Sequence, residues 1–197
     1  MVPVRLTGPR LGIREYHHTE DEVEALHALF GDPEVTRYLP FGPSGREDCA
    51  DQLELYLEEA LAEERDTYRL AVTRLADADD PGAAPPIGQA SLGLGGHRAA
   101  DLGCVLARDA WGRGYAGETV GLLCGLAFGA LDLHRLTARV AVDNTASVKV
   151  LTGLGFRREG RLRHDGFKNG AWYDSYLYAL LADEWRPDAA AGGRPGG

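Results

Sequence analysis

The sequence predicts an α+β chain, three layers deep, with helices on both sides of a mixed central sheet. Three observations predict it. Strand and helix patterns alternate only in the middle of the chain, with meander-like strands on either side. A strand–helix–strand crossover over 101–142 requires at least one parallel pair among otherwise antiparallel strands. A glycine-rich turn, Trp111 to Gly117, joins the first strand of that crossover to its helix.

In chain order, residues 10–15 alternate as a strand. Thr19 with Glu22 makes a capping-box pattern that opens a helix to about Phe30, with Val23, Leu26 and Phe30 on one face. Ser44 with Glu47 makes another, opening a helix to about Arg65. Its apolar stripe reads Leu53, Leu57, Ala60 and Leu61, and its densely acidic opposite face reads as a solvated side. Residues 67–75, 87–94 and 101–107 read as three strands separated by turn chemistry. Between the first two, Ala76 to Pro86 (ADADDPGAAPP) reads as a long surface loop. The helix after the glycine turn runs to about Leu131, with Ala116, Val120, Leu123, Ala127 and Leu131 spaced for one buried face. A strand at 135–142, a short helix at 145–152 and strands at 157–164 and 173–181 complete the pattern. The last stretch, 186–197 (RPDAAAGGRPGG), has nothing to bury and reads as a disordered tail.

The chain has 197 residues, which fits one domain, and 44% of them are apolar, enough for a core without a metal or disulfide staple. Lys and Arg number 21 against 30 Asp and Glu, a net charge of −9. That balance argues against nucleic acid and against an anionic membrane, both of which select for cations, and leaves room for a cationic acceptor such as an amine. Cys49, Cys104 and Cys124 are an odd, widely spaced set, read as reduced thiols of a cytoplasmic protein and not as a disulfide framework or metal site. No apolar run is long enough for a membrane span, and the start lacks a signal-peptide core.

The sharpest local signal is the strand, glycine turn and helix of DLGCVLARDAWGRGYAGETVGLL. The first turn of a helix offers unpaired N–H groups and the positive end of a dipole, and glycines let a ligand approach them. No Lys-Ser/Thr pair follows, so a Walker A loop is excluded. Gly112-x-Gly114-x-x-Gly117 fits the dinucleotide pattern, with Asp143 ending the next strand where a ribose-binding acid would sit. An NAD(P) domain would need further strand–helix units, and the remaining residues read as a short helix and antiparallel strands. The bland alternative is a tight turn with no ligand. The other ligand reading is coenzyme A.

Trp111-Gly112-Arg113-Gly114-Tyr115-Ala116 resembles motif A of the GNAT N-acetyltransferases, [Q/R]-x-x-G-x-[G/A], with Trp111 replacing Gln/Arg as in the RimJ/RimL-type branch. The stretches FGDPEVTRYLPFGP (30–43), LGCVLARDAWGRGYAGE (102–118), VDNTASVKVLTGLGF (142–156) and GRLRHDGFKNGAWYDSYLYALLADEW (160–185) resemble that branch in order and spacing. The resemblance covers 6–185 as one domain. It implies a GNAT fold: a mixed, mostly antiparallel sheet of about seven strands with a splayed parallel pair, flanked by about four helices. It also implies an acetyl-CoA-dependent acetyltransferase acting on a primary amine, either a protein N-terminus or a small molecule, by direct transfer in a ternary complex, commonly as a homodimer. Acetyl-CoA is the co-substrate and no metal is implied. A CoA-binding sensor of the same fold, or transfer of another acyl group such as succinyl, stays open.

Carried over by residue, the strand backbone at Cys104, Val105 and Leu106 would hold the pantetheine arm. The turn amides of Gly112, Arg113, Gly114, Tyr115, Ala116 and Gly117 would hold the pyrophosphate, with Arg113 either adding charge or simply solvated. Asn144 would contact the pantetheine, cap the short helix, or both. Amide formation needs a proton acceptor, donors for the developing oxyanion (a backbone N–H near Leu106) and a route for the departing thiolate. Many relatives place a tyrosine acid where this chain has Leu151, so Ser147 is the alternative thiolate donor, or a plain helix residue. Asp101 is the candidate base, or an ordinary strand-end carboxylate; His97, in the turn GGHRA, is a weaker one. A RimL-type catalytic Glu would fall at Gly166, beside Asp165, and so is missing. Glu118 reads as complementing the helix dipole. Trp172, Tyr173, Tyr176 and Tyr178 read as core or dimer packing before a cation cage. His17 and His18, without further ligands, make a poor metal site.

Overall fold

The computed structural model describes residues 3–77 and 84–187. The elements run β1 (Arg5–Thr7), β2 (Leu11–Arg14), α1 (Glu20–Phe30), α2 (Pro33–Thr36), α3 (Arg46–Leu61), β3 (Thr67–Arg74), β4 (Pro86–Gly95), β5 (Ala99–Leu106), α4 (Tyr115–Gly125), β6 (Arg135–Ala141), α5 (Thr145–Gly153), β7 (Arg157–Lys168) and β8 (Ala171–Leu181). The strands form one sheet in the order β1-β2-β3-β4-β5-β6-β8-β7. Among the described residues, β5 with β6 is the one parallel pair. The described sheet is therefore not a doubly wound dinucleotide sheet, and the NAD(P) alternative loses its scaffold. The described helices include none long and apolar enough to cross a membrane.

The class is the expected one, and the described residues hold eight strands where about seven are predicted and five helices where about four are. The additions are short. β1 has three residues, too few for a period, and α2 is one turn capped by Asp32 with Pro33 in its first position. The loop predicted at 76–86 lies mostly outside the described residues, but its end is no surface feature. Ala84 is buried, and its carbonyl accepts from Arg14 Nη2 at 2.9 Å. Of the predicted tail, residues 188–197 lie outside the described part.

Helix starts differ from the capping-box reading in instructive ways. Thr19 accepts the N–H of Glu22 as expected, but the Glu22 carboxylate turns inward to the Arg14 guanidinium at 2.6 Å. α3 starts one residue late, because Asp48 rather than Glu47 returns to the N-cap and accepts the N–H of Gly45 at 2.8 Å. Its buried face is Cys49, Leu53 and Tyr56, an i, i+4, i+7 row, and Leu61 is 86% exposed at the helix end. The helix stops short of residue 65 because Arg65 is claimed elsewhere: its guanidinium pairs with Glu15 at 2.7 Å and lies 4.1 Å from the Tyr68 ring centre. The helix after the glycine turn covers the predicted length, but its last turn, Leu126–Ala130, is π-wound.

The two helical layers bury opposite faces of the sheet. Tyr16, Val23, Leu26, Phe30, Leu53 and Tyr56 form the core under α1 and α3. Leu70, Val72, Leu92, Leu123, Leu136 and Leu180 belong to the core under α4 and α5. Between these layers the sheet opens. β5 and β6 pair only through Ala99–Asp101 and Arg135–Thr137. Beyond that, β5 stays with β4 as far as Leu106 and β6 stays with β8 as far as Ala141. The five residues Leu102–Leu106 thus line a V that is roughly 16 Å deep at about 3.3 Å per residue.

The β4–β5 ladder has little room at its far end. A Cβ on Gly88 would meet the Val105 carbonyl oxygen at 2.4 Å and Leu106 Cδ2 at 2.6 Å. Gly88→Ala is expected to destabilise the protein by about 1–3 kcal/mol, read as a lower urea midpoint at unchanged slope.

Candidate active site

The V in the sheet is lined by backbone, and its chemistry follows from strand register. The N–H of Ala107 donates to the Ile87 carbonyl at 2.9 Å, which makes that pair a hydrogen-bonded one. In an antiparallel ladder hydrogen-bonded and non-hydrogen-bonded pairs alternate. Val105 with Gln89 and Gly103 with Ser91 therefore spend their backbone groups on β4. Cys104 and Leu106 turn theirs into the V, while Leu102, next to the last parallel pair, turns its own toward β6. Trp111 Nε1 donates to the Leu106 carbonyl at 2.7 Å, which leaves the Leu106 N–H facing the V. Val105 lines the α1 and α3 side with its side chain, and its peptide groups are committed.

The glycine turn forms the mouth. After β5 the chain makes one tight turn at Arg108–Ala110 and then two left-handed glycines, Gly112 (φ 71°) and Gly114 (φ 76°), before α4 begins at Tyr115. Both angles favour glycine. The N–H groups of Tyr115, Ala116 and Gly117 open α4 and have no intrahelical acceptor. Cβ atoms built on Gly112 and Gly117 meet nothing within 4 Å, so the turn faces open space. This is a cradle of amides at a dipole's positive end, and it fits the pyrophosphate of a coenzyme A. Arg113 folds back, its Nε donating to the Asp109 carbonyl at 3.0 Å.

Asp101 stands at the apex of the V, the last β5 residue paired with β6. Its side chain is exposed on the α1 and α3 side, and the Thr137 hydroxyl of β6 donates to its Oδ1. On the other wall, Asn144 caps α5 by accepting the Ser147 N–H at 3.1 Å, and its amide nitrogen is the donor it can offer a ligand. Ser147 is half-buried in the first turn of α5. Leu151 is buried in the core under α4 and α5 and offers no acid. Cys104 presents backbone to the V, while burial pushes its thiol up to about 12, with Thr119 of α4 beside it.

The remaining candidates lie elsewhere. His97 sits exposed in the β4–β5 turn. His18 pairs with Glu54 at 2.6 Å and His17 lies 3.9 Å from Glu22; the described residues hold no group of three metal-ligating side chains. The four C-terminal aromatics do not form one cage. Tyr178 is core, Tyr176 stacks under Arg158, and Trp172 is 59% exposed against His164 and Phe167. Tyr173 explains Gly166. The two are cross-strand partners, and a Cβ at 166 would lie 2.2 Å from the Tyr173 hydroxyl, so the tyrosine fills the space a glutamate there would need. Asp165 sits beside it, 4.0 Å from Arg139.

Two residues escape the sequence reading. Glu118 is no simple dipole partner: it is 6% exposed and accepts from Arg10 N (2.8 Å), Leu11 N (2.9 Å) and Arg10 Nε (2.8 Å). Arg10 itself has no local signal, since its partners lie more than a hundred residues away.

Comparison with known proteins agrees with this geometry. The family model described as Acetyltransferase (GNAT) domain matches residues 10–157. A Bacillus subtilis protein named uncharacterized N-acetyltransferase YoaA is 32% identical over 182 residues, covering 92% of this chain and 98% of its own length. A GNAT-family acetyltransferase structure from Bacillus anthracis superposes with a TM-score of 0.78 at 25% identity, over 92% of this chain and 100% of that one. Mycobacterium smegmatis RimJ in complex with CoA-disulfide shares the fold with a TM-score of 0.77 at 24% identity, over 93% and 90% of the two chains.

A side chain at Gly114 must hold the left-handed conformation, at a cost of about 1–2 kcal/mol. Gly114→Ala is expected to lower the melting temperature by roughly 2–8 °C, measured by calorimetry.

Proposed function

The chain belongs to the GNAT acetyltransferase family, and from that premise we propose that it moves an acetyl group from acetyl-CoA directly to a primary amine within a ternary complex. The observation that carries this reading is the V between β5 and β6, with its amide cradle at the mouth and a carboxylate at its apex. The acceptor would be a protein N-terminus or a small cationic amine.

Acetyl-CoA supplies the acetyl group as a thioester. The amides of Gly112 to Gly117 would hold the pyrophosphate, and the amide nitrogen of Asn144 would reach the arm from the α5 side. The outward backbone groups of Cys104 would pair with the pantetheine amides as a neighbouring strand would. The Leu106 N–H is the free donor for the oxygen that gains charge. Asp101, held by Thr137, would take the ammonium proton, because only the neutral amine attacks. Ser147, in the first turn of α5, would give a proton to the departing thiolate. That acid is dispensable, because a CoA thiolate is a fair leaving group.

Direct transfer is favoured over a covalent enzyme intermediate by Cys104. It is the thiol on the cofactor strand, yet burial pushes it up to about 12, so it stays protonated at neutral pH. Cys104→Ala is expected to keep kcat within about threefold and to leave intersecting double-reciprocal plots. Parallel plots, or loss of turnover, would overturn direct transfer.

The reading itself is tested by calorimetry with CoA and by acetyl-CoA consumption across amines and N-terminal peptides. Asp101→Asn is expected to lower kcat by about a hundredfold or more and Ser147→Ala by less. Unchanged rates in both remove these two assignments. Tight CoA binding with no acceptor in the panel identifies a sensor instead.

A further inference from the structure

The turn at the mouth of the V is fastened from outside by one side chain. Arg10 precedes β2 in sequence, far from the turn, yet its guanidinium touches three successive turn residues. Nη1 donates to the Arg113 carbonyl at 2.8 Å. Nη2 lies 3.5 Å from where a Cβ on Gly114 would be. The guanidinium carbon lies 4.9 Å from the Tyr115 ring centre. Behind it, Nε and the backbone N–H of Arg10 both bond the buried Glu118 carboxylate at 2.8 Å. That carboxylate also takes the Leu11 N–H, so it is anchored to the start of β2 as well as to Arg10.

The consequence for the turn is geometric. In a trans peptide the C=O and the following N–H point in opposite directions. Pinning the Arg113 carbonyl toward Arg10 therefore aims the Gly114 N–H the other way. Gly114 is a left-handed glycine, and glycines on both sides of Arg113 leave this peptide free to rotate. A flipped peptide would present a carbonyl oxygen where an anion needs a donor. Charge works in the same direction. Without the Arg10 guanidinium, the Glu118 carboxylate would keep its two backbone N–H partners but lose its cation beneath an anion-binding helix start.

We propose that Arg10 is a positioning residue for the cofactor turn: braced by Glu118, it fixes the 113–114 peptide so that the Gly114 N–H serves the diphosphate, and it cancels the carboxylate's charge there. This inference rests on reading the turn as the coenzyme A diphosphate site. Arginine suits the role because its rigid fork meets a carboxylate along one edge and a carbonyl along another, which an ammonium cannot do at once.

The test compares acetyl donors with and without a diphosphate. Calorimetry with CoA and steady-state kinetics with acetyl-CoA and S-acetylpantetheine are run on the wild-type chain, Arg10→Met and Arg10→Lys, with circular dichroism confirming the fold at the assay temperature. In both variants the Kd for CoA is expected to rise at least tenfold, and the KM for acetyl-CoA with it. The kcat and the KM for S-acetylpantetheine are expected to change less than twofold. Full rescue by lysine, unchanged CoA affinity, or equal losses with both donors would overturn the proposal, the last by showing a general structural role. Should Arg10→Met not fold, Arg10→Lys alone decides between the same outcomes. A wild-type chain that binds no CoA would instead sink the reading of the turn, and this inference with it.

Discussion

Three residue pairs hold β5 to β6, and the site depends on that number being small. Both strands have another partner: β5 is laddered to β4 over eight residues and β6 to β8 over seven. The short parallel contact keeps the sheet continuous at Ala99–Asp101 and lets its halves part beyond. An interior sheet strand with an open edge leaves peptide groups without partners, which is costly unless water or a ligand meets them. The register decides which groups these are. Cys104 and Leu106 offer backbone to the opening, Leu102 turns its own toward β6 at the apex, and all three send side chains to the α4 face. The strand that would receive a ligand is therefore packed on the helix whose first turn would hold the ligand's anionic end.

The mouth of the opening is braced separately. Left-handed glycines give the turn its shape but no stiffness of their own. Stiffness comes from contacts outside it: Trp111 back to Leu106, Arg113 to Asp109, and Arg10 with Glu118 from the start of β2. The buried carboxylate is stabilised by two backbone N–H groups and a guanidinium, the kind of saturation a charge at 6% exposure requires.

What was legible in the sequence was what is local. The strand, glycine turn and helix of the wall proposed for the cofactor announce themselves through spacing and glycine placement, and so do the apolar face of α4 and the cap at Asn144. What was not legible joins distant residues. Arg10 and Glu118 stand 108 positions apart, and each alone looks like an ordinary surface charge. Gly166 reads as a lost catalytic glutamate until Tyr173, on the facing strand, is seen to occupy its side-chain space. The α3 stripe slipped for a related reason. Leu53 and, in part, Leu57 do face the core, but the buried row continues through Cys49 and Tyr56 and leaves Leu61 exposed at the helix end. Periodicity finds a face; only the partner decides where that face begins and ends.

On the proposed reading the two walls of the opening would divide the chemistry unequally. At the apex a carboxylate is held by a hydroxyl from the opposite strand, so Asp101 gains its orientation from the same three pairs that close the sheet. On the α5 wall the position where the family resemblance implies a tyrosine acid is Leu151, which packs into the core. Exchanging an acid for core packing is tolerable only where the leaving group needs little help. A thiolate meets that condition and an alkoxide would not, since the thiol is the stronger acid by several units. The asymmetry argues that the heavier demand falls on deprotonating the incoming amine and on aligning it with the acetyl carbon. On the proposed reading both tasks would fall to the β5 side, where Asp101 and the Leu106 N–H sit on one strand at a spacing fixed by its register.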